Sequence, residues 1–223
     1  RTHIIFAASI AEPPPRAITS SSSKEIKYVR NDSGKAQNHT AVVSDFSFER
    51  PVNTMYDRHY PVLDVNISAM AQNARVLCDI CGRNNISVAG IIKFSDGDLE
   101  VAGAYREGGC AQLGVSRAKH LPALKEAFPD TETLLTRSPP RSDLPLCARY
   151  ADLSLHADAD ILIALNKEAA NWNAHPGILL MLDVGDLREG VDNIPALVEL
   201  ATLCEGLPNL RLRGVGTNLA CMN

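Results

Sequence analysis

The chain has 223 residues, of which 45% are hydrophobic and 22% charged, and it carries a formal net charge of −4. This is the composition of a soluble folded chain with apolar side chains enough for one substantial core. The mild acidity lacks the basic stripe of a nucleic-acid or membrane-surface binder, and no apolar run approaches the roughly 18–20 residues that span a bilayer.

In chain order, residues 1–58 open on a short apolar stretch, too short for a signal peptide. They continue through Pro13-Pro14-Pro15, Ser20 to Ser23 and a polar stretch around Asn31-Asp32-Ser33-Gly34. No period of 2 or 3.6 persists, which predicts an irregular extension outside the folded core. The chain starts on Arg1, and Met55 is a candidate start of the folded part. From residue 59 the punctuation becomes regular. Residues 61–66 read as a strand, and Ser68 as the N-cap of a helix with Met70, Ala74, Leu77, Cys78 and Cys81 on one face. Gly82 and Asn84-Asn85 end that helix. Cys78-Asp79-Ile80-Cys81 has the spacing of a redox or zinc pair, but no second ligand pair stands near it. The cysteines therefore read as small apolar residues facing a core, and no metal is expected. The other cysteines, at 110, 147, 204 and 221, are scattered. They form no disulfide framework and suit a reducing cytoplasm, the expected location.

Residues 87–94 are apolar at nearly every position, as in a strand buried on both faces. Helices then follow at about 98–108, 117–127, 142–150, 158–171 and 193–206, alternating with strands at 112–116, 133–136, 152–156, 178–184 and 210–219. Six βα-type strands in strict alternation imply an α/β fold with a parallel sheet and right-handed crossovers. No Gly-x-Gly-x-x-Gly turn follows the first strand, which weighs against a dinucleotide fold. Both a barrel and an open sheet fit the alternation, and a barrel would need eight strands.

In parallel α/β folds the chemistry gathers at the carboxyl ends of the strands. Lys93 ends the first apolar run. A lysine there is costly unless paired or neutral, and desolvation favours the free amine that attacks an aldehyde; the alternative is a lysine whose head reaches out to water. Arg188, in Asp183-Val184-Gly185-Asp186-Leu187-Arg188-Glu189-Gly190, offers a planar fork of donors to a phenolate or carboxylate. Its alternative is a solvated ion pair with Glu189 or Asp186. Thr217-Asn218 closes the last strand, as a turn or as a ring or phosphate contact.

Those segments, in this order, resemble the alanine/ornithine racemase family of pyridoxal-5′-phosphate (PLP) enzymes. The resemblance rests on Tyr60-Pro61, on Gly90-Ile91-Ile92-Lys93, on Leu182 to Gly190 and on Gly214-Val215-Gly216-Thr217-Asn218-Leu219-Ala220-Cys221. Gly108-Gly109, Gly114, Ser116-Arg117, Leu135 to Pro139 and Ala151 to Leu155 support it, so that it covers about residues 60–223. It implies a partial TIM-like (β/α)8 barrel of about six βα units over residues 59–223, with the last strands and a β-rich C-terminal domain missing. It also implies PLP as cofactor, a small amino acid as substrate and a homodimer for the full-length protein.

By motif position Lys93 is the catalytic, Schiff-base lysine. Arg188 takes the place of an arginine at the cofactor's phenolic oxygen. Asn218, beside Thr217, takes the place of a ring-stacking histidine of the alanine racemases. These four residues form the expected cofactor set. One departure is marked: a phosphate-binding tyrosine four residues after the lysine is replaced by Gly97. The expected function is interconversion of L- and D-amino acids by an isomerase, with this chain an inactive fragment of it. The alternative is a single-domain barrel that binds PLP for cofactor homeostasis without turnover.

Overall fold

A computed structural model of the chain describes residues 62–185 and 187–219, together with the strands at 4–7, 25–32 and 35–40. Ten strands and six α-helices follow one another. β1 (Ile4–Ala7), β2 (Glu25–Asp32), β3 (Lys35–Thr40) and β4 (Val62–Asn66) lead into α1 (Ile67–Gly82). The alternation then runs β5 (Ser87–Ile91), α2 (Leu99–Glu107), β6 (Gln112–Val115), α3 (Leu121–Ala127), β7 (Glu132–Leu135) and α4 (Leu144–Tyr150). It ends with β8 (Leu153–His156), α5 (Ala159–Asn171), β9 (Gly177–Leu182), α6 (Ile194–Glu205) and β10 (Arg211–Thr217).

β5 to β10 pair in sequence order, all parallel, as a half-barrel with a helix in each crossover. Period-2 alternation divides the strand residues between two layers. Outward-facing Val88, Leu113, Val115, Leu135, Ile178 and Leu180 pack under the helices in one large cluster. Ala89, Leu134, Leu153, Leu155, Leu179 and Met181 face the hollow of the half-barrel in a smaller one. The helix starts follow from local chemistry. Asn66, Asp98, Asp158 and Asn193 each accept a backbone N–H of the first turn through the side chain. α3 and α4 carry Pro122 and Pro145 in their first turns, where a missing N–H costs nothing.

Two sequence expectations change, at the start of α1 and within residues 1–58, and β4 takes a place the sequence had not assigned. The N-cap of α1 is Asn66, whose Oδ1 accepts the Ala69 N–H at 2.9 Å, so that Ser68 is already helical. The strand ahead of α1, β4, pairs with β2 in a separate three-stranded sheet, ordered β3-β2-β4. The stretch expected to be irregular, residues 1–58, holds three strands, and β1 lies parallel to β5 at the edge of the main sheet. An apolar run of four residues is too short for a period to register, and the mixed faces of Glu25–Asp32 hide a strand that a hairpin partner stabilises. The rest of residues 1–58 lies outside the described residues.

Candidate functional site

The carboxyl ends of β5, β6, β7 and β9 deliver charged side chains to one side of the half-barrel. Lys93, Ser116, Arg117, Thr136, Arg137, Arg188 and Glu189, with Asp96, line an open cleft of about 480 Å³ there. Four cations face two carboxylates, so the cleft is built for an anion.

Each residue arrives by a short route from a buried strand. Ile92 is buried and donates its N–H to the Gly114 carbonyl at 2.8 Å, extending the β5–β6 pairing one residue past the strand. Lys93 then opens a turn that the Gly97 N–H closes on the Ile92 carbonyl at 3.1 Å. Lys93 thus stands beyond the apolar run and exposed, not enclosed by it. Thr136 continues β7: its N–H and its hydroxyl both donate to the Val115 carbonyl, at 2.9 and 3.2 Å. That places Arg137 over the cleft. Beyond β9, the Asp183 N–H donates to Val191 O at 2.8 Å, while the Asp183 carboxylate accepts the N–H groups of Gly185 and Leu187 at 2.8 and 3.1 Å. This loop carries Arg188 and Glu189 back toward the sheet.

The electrostatics are local. Burial pushes the Glu189 carboxyl up from its ordinary pKa, against the opposing pull of Arg137, Arg188 and a hydrogen bond from the Ser138 N–H. At Asp96 desolvation also acts upward, but the hydrogen bond and charge of His120, with Lys119 and Arg117, outweigh it and hold the carboxyl low. Arg117 Nη1 and His120 Nε2 lie 3.0 and 3.1 Å from the same Asp96 oxygen.

Of the residues expected from sequence, Lys93 and Arg188 share the cleft. Thr217 and Asn218, half-buried, stand at the same end of the sheet past β10, where the Thr217 hydroxyl donates to the Asn218 carbonyl at 3.4 Å. They are not among the residues that line the cleft. Asp96, Thr136, Arg137 and Glu189 were not singled out as site residues. The signal was available for Thr136 and Arg137, since polar groups directly after a buried parallel strand fall at the carboxyl end of the sheet.

A parallel half-barrel with a lysine and three arginines at its strand ends defines an α/β-barrel protein with a cationic cleft. More narrowly, the chain belongs to the alanine racemase, N-terminal domain family, which it matches over residues 65–223. It is 32% identical to lysine racemase of Thermotoga maritima over 162 residues, 73% of this chain and 45% of that protein. To ornithine racemase of Acetoanaerobium sticklandii it is 28% identical over the same shares. The alanine racemase structure from Clostridium difficile 630 superposes with a TM-score of 0.59 at 18% identity, over 70% of this chain and 40% of that one. The chain therefore spans less than half the length of these relatives. Among the described residues, no helix is long and apolar enough to cross a membrane.

Proposed function

We propose that the chain is the barrel portion of a PLP-dependent amino-acid racemase in which Lys93 holds the cofactor covalently. The observation that carries this reading is the convergence of Lys93 and Arg188, from two strand ends far apart in sequence, in one cationic cleft. The donor set fits the cofactor: a primary amine for its aldehyde, guanidinium groups for its phenolic oxygen and phosphate, and hydroxyls from Ser116 and Thr136. PLP, when bound, supplies the electron sink that makes an α-proton removable.

The chain's own residues do the rest. The Lys93 amine, once free, takes or returns a proton on one face of the α-carbon. Arg188 presents a fixed fork to an anion, and Glu189 holds Arg137 and Arg188 by charge on the cleft wall. Thr217 and Asn218 contribute to cofactor binding at the end of β10. The substrate is a free amino acid, and the names of the relatives favour a basic one. The full-length protein acts as a homodimer in the cytoplasm. Racemisation needs a proton carrier on each face, and Lys93 serves one, so the 223 residues alone are expected to capture PLP without racemising.

The test combines capture and turnover. Borohydride reduction of the full-length protein with PLP, followed by peptide mapping, should mark Lys93. Chiral chromatography should show D/L interconversion of lysine or ornithine that Lys93→Ala abolishes. A label on another lysine would overturn the assignment. Capture at Lys93 without interconversion of any amino acid would favour the cofactor-homeostasis alternative.

A further inference from the structure

The turn that carries Lys93 is held between two rings, each seated on a glycine. On the strand side, a Cβ at Gly90 would lie 2.5 Å from Cβ and Cγ of Tyr105, a buried residue of α2. On the far side, a Cβ at Gly97 would lie 2.5 Å from Cγ and 2.6 Å from Nδ1 of His120. Both separations are closer than real Cβ contacts come, so the two glycines are the empty halves of ring seats. Gly97 has φ +86° and Asp96 has φ +52°, two successive left-handed residues. Aspartate enters that region more readily than most side chains, and at Asp96 its contacts hold it there.

The contacts that hold it are three basic side chains. The Asp96 carboxylate meets His120 Nε2 at 3.1 Å, Arg117 Nη1 at 3.0 Å and Lys119 Nζ at 3.6 Å. All three come from the short segment that follows β6 and enters α3. Gly97 is therefore covered by a ring brought from another strand end. That contact acts on the turn, since His120 does not line the cleft.

We propose that His120 and Asp96 are positioning residues for Lys93. The His120 ring on Gly97 and its hydrogen bond to Asp96 fix the turn so that the lysine amine enters the cleft in one orientation. His120 acts from outside the cleft lining, and Asp96 stands at its edge as the link between the ring and the turn. The inference rests on the reading of Lys93 as the cofactor lysine.

The readout is the rate at which the full-length protein captures PLP, followed by absorbance and by the mass of the borohydride-fixed adduct. The capture forms one C=N bond between the lysine nitrogen and the aldehyde carbon and releases one water. His120→Ala and Asp96→Ala should each slow capture by roughly 10–100-fold, the scale of a misplacement of about 1 Å. His120→Gln, which can still donate to Asp96, should recover most of the rate. Gly97→Ala should slow capture as well, through its clash with the His120 ring and through the strain that φ +86° puts on any side chain there.

Thermal unfolding of each variant shows that the rates are compared between folded proteins; if His120→Ala does not fold, the His120→Gln and Gly97→Ala rates decide. Capture at the unaltered rate in His120→Ala and Asp96→Ala, with capture lost in Lys93→Ala, would overturn this proposal and leave the cofactor reading intact. Capture that survives Lys93→Ala would instead overturn the underlying reading.

Discussion

The two ends of the parallel sheet handle charge in opposite ways. At the amino end, charges and polar groups cancel in contact. Asp152 accepts from Lys125 Nζ at 2.6 Å and from the Thr133 N–H and hydroxyl at 2.8 and 3.0 Å. Glu132 accepts from Gln112 at 2.6 Å and from Arg213 at 3.2 Å. At the carboxyl end, four cations and two carboxylates converge on an open cleft, carried on turns with left-handed residues at Asp96 and Leu187. Satisfied pairs hold strands together, whereas converging like charges and local strain are tolerated where a ligand is to be met. The difference separates the half of the molecule that maintains the fold from the half that uses it.

The contrast can be broken or sharpened by measurement. The largest stability effect belongs to His156, buried at the close of β8 on the helix side and not part of the cleft lining. Its Nε2 lies 2.8 Å from the Ser154 hydroxyl, and its Nδ1 has no partner among the described residues. Burial, opposed by Asp158, pushes its pKa down from 6.5 to about 4. The unfolded chain takes up a proton near pH 6.5 and the folded chain only near 4, so stability is full above that window and lost as pH falls through it. The loss amounts to roughly 3 kcal/mol at most. Urea unfolding between pH 7 and 4 should show this slope, and His156→Gln should flatten it. An unchanged slope would mean that other groups govern acid unfolding.

Next in size, Asp152→Ala should cost about 2 kcal/mol by leaving Lys125 and Thr133 without their acceptor. PLP capture by the folded variant should stay at the parent rate. Slower capture would show that the amino end reaches the cleft, and the division between the ends would fail. The smallest stability effect is expected for Arg137→Ala, within about 0.5 kcal/mol. Its affinity for PLP, measured by equilibrium titration, should nevertheless fall about tenfold through the loss of a charge-assisted contact. A large loss of stability with unaltered affinity would turn Arg137 into a structural residue.

Much of this was legible in the sequence. The six βα units follow from period and punctuation; most boundaries fall within a residue or two, but the first strand ends at Ile91 instead of residue 94, and α3 starts at Leu121 instead of residue 117. Lys93 stood out because a charge ends an apolar run, and Arg188 because a glycine-bracketed charged segment follows the most apolar strand. The clasp on Asp96 was not legible. It depends on His120 and Arg117 crossing from the next strand end, and no local pattern encodes a contact between two turns. The α1 start moved from Ser68 to Asn66 because both can cap, and only the backbone decides which residue is outside the helix. β1 was missed because the strand it pairs with, β5, lies some eighty residues away in the chain.

The ion pair between Arg213 and Glu132 has one further consequence. The two residues sit on β10 and β7, with β8 and β9 between them. Measured flat along a sheet, three strand spacings are roughly 14 Å. The charged groups nevertheless meet at 3.2 Å, reaching toward each other across the hollow side. The pair is a chord drawn under an arc, and its length reads out the bend of the sheet. Straightening the sheet would stretch the chord and pull the charges apart. Arg213 and Glu132 therefore meet only while the sheet stays curved, and the pair registers, from the opposite rim, the bend that gathers the strand ends around the cleft.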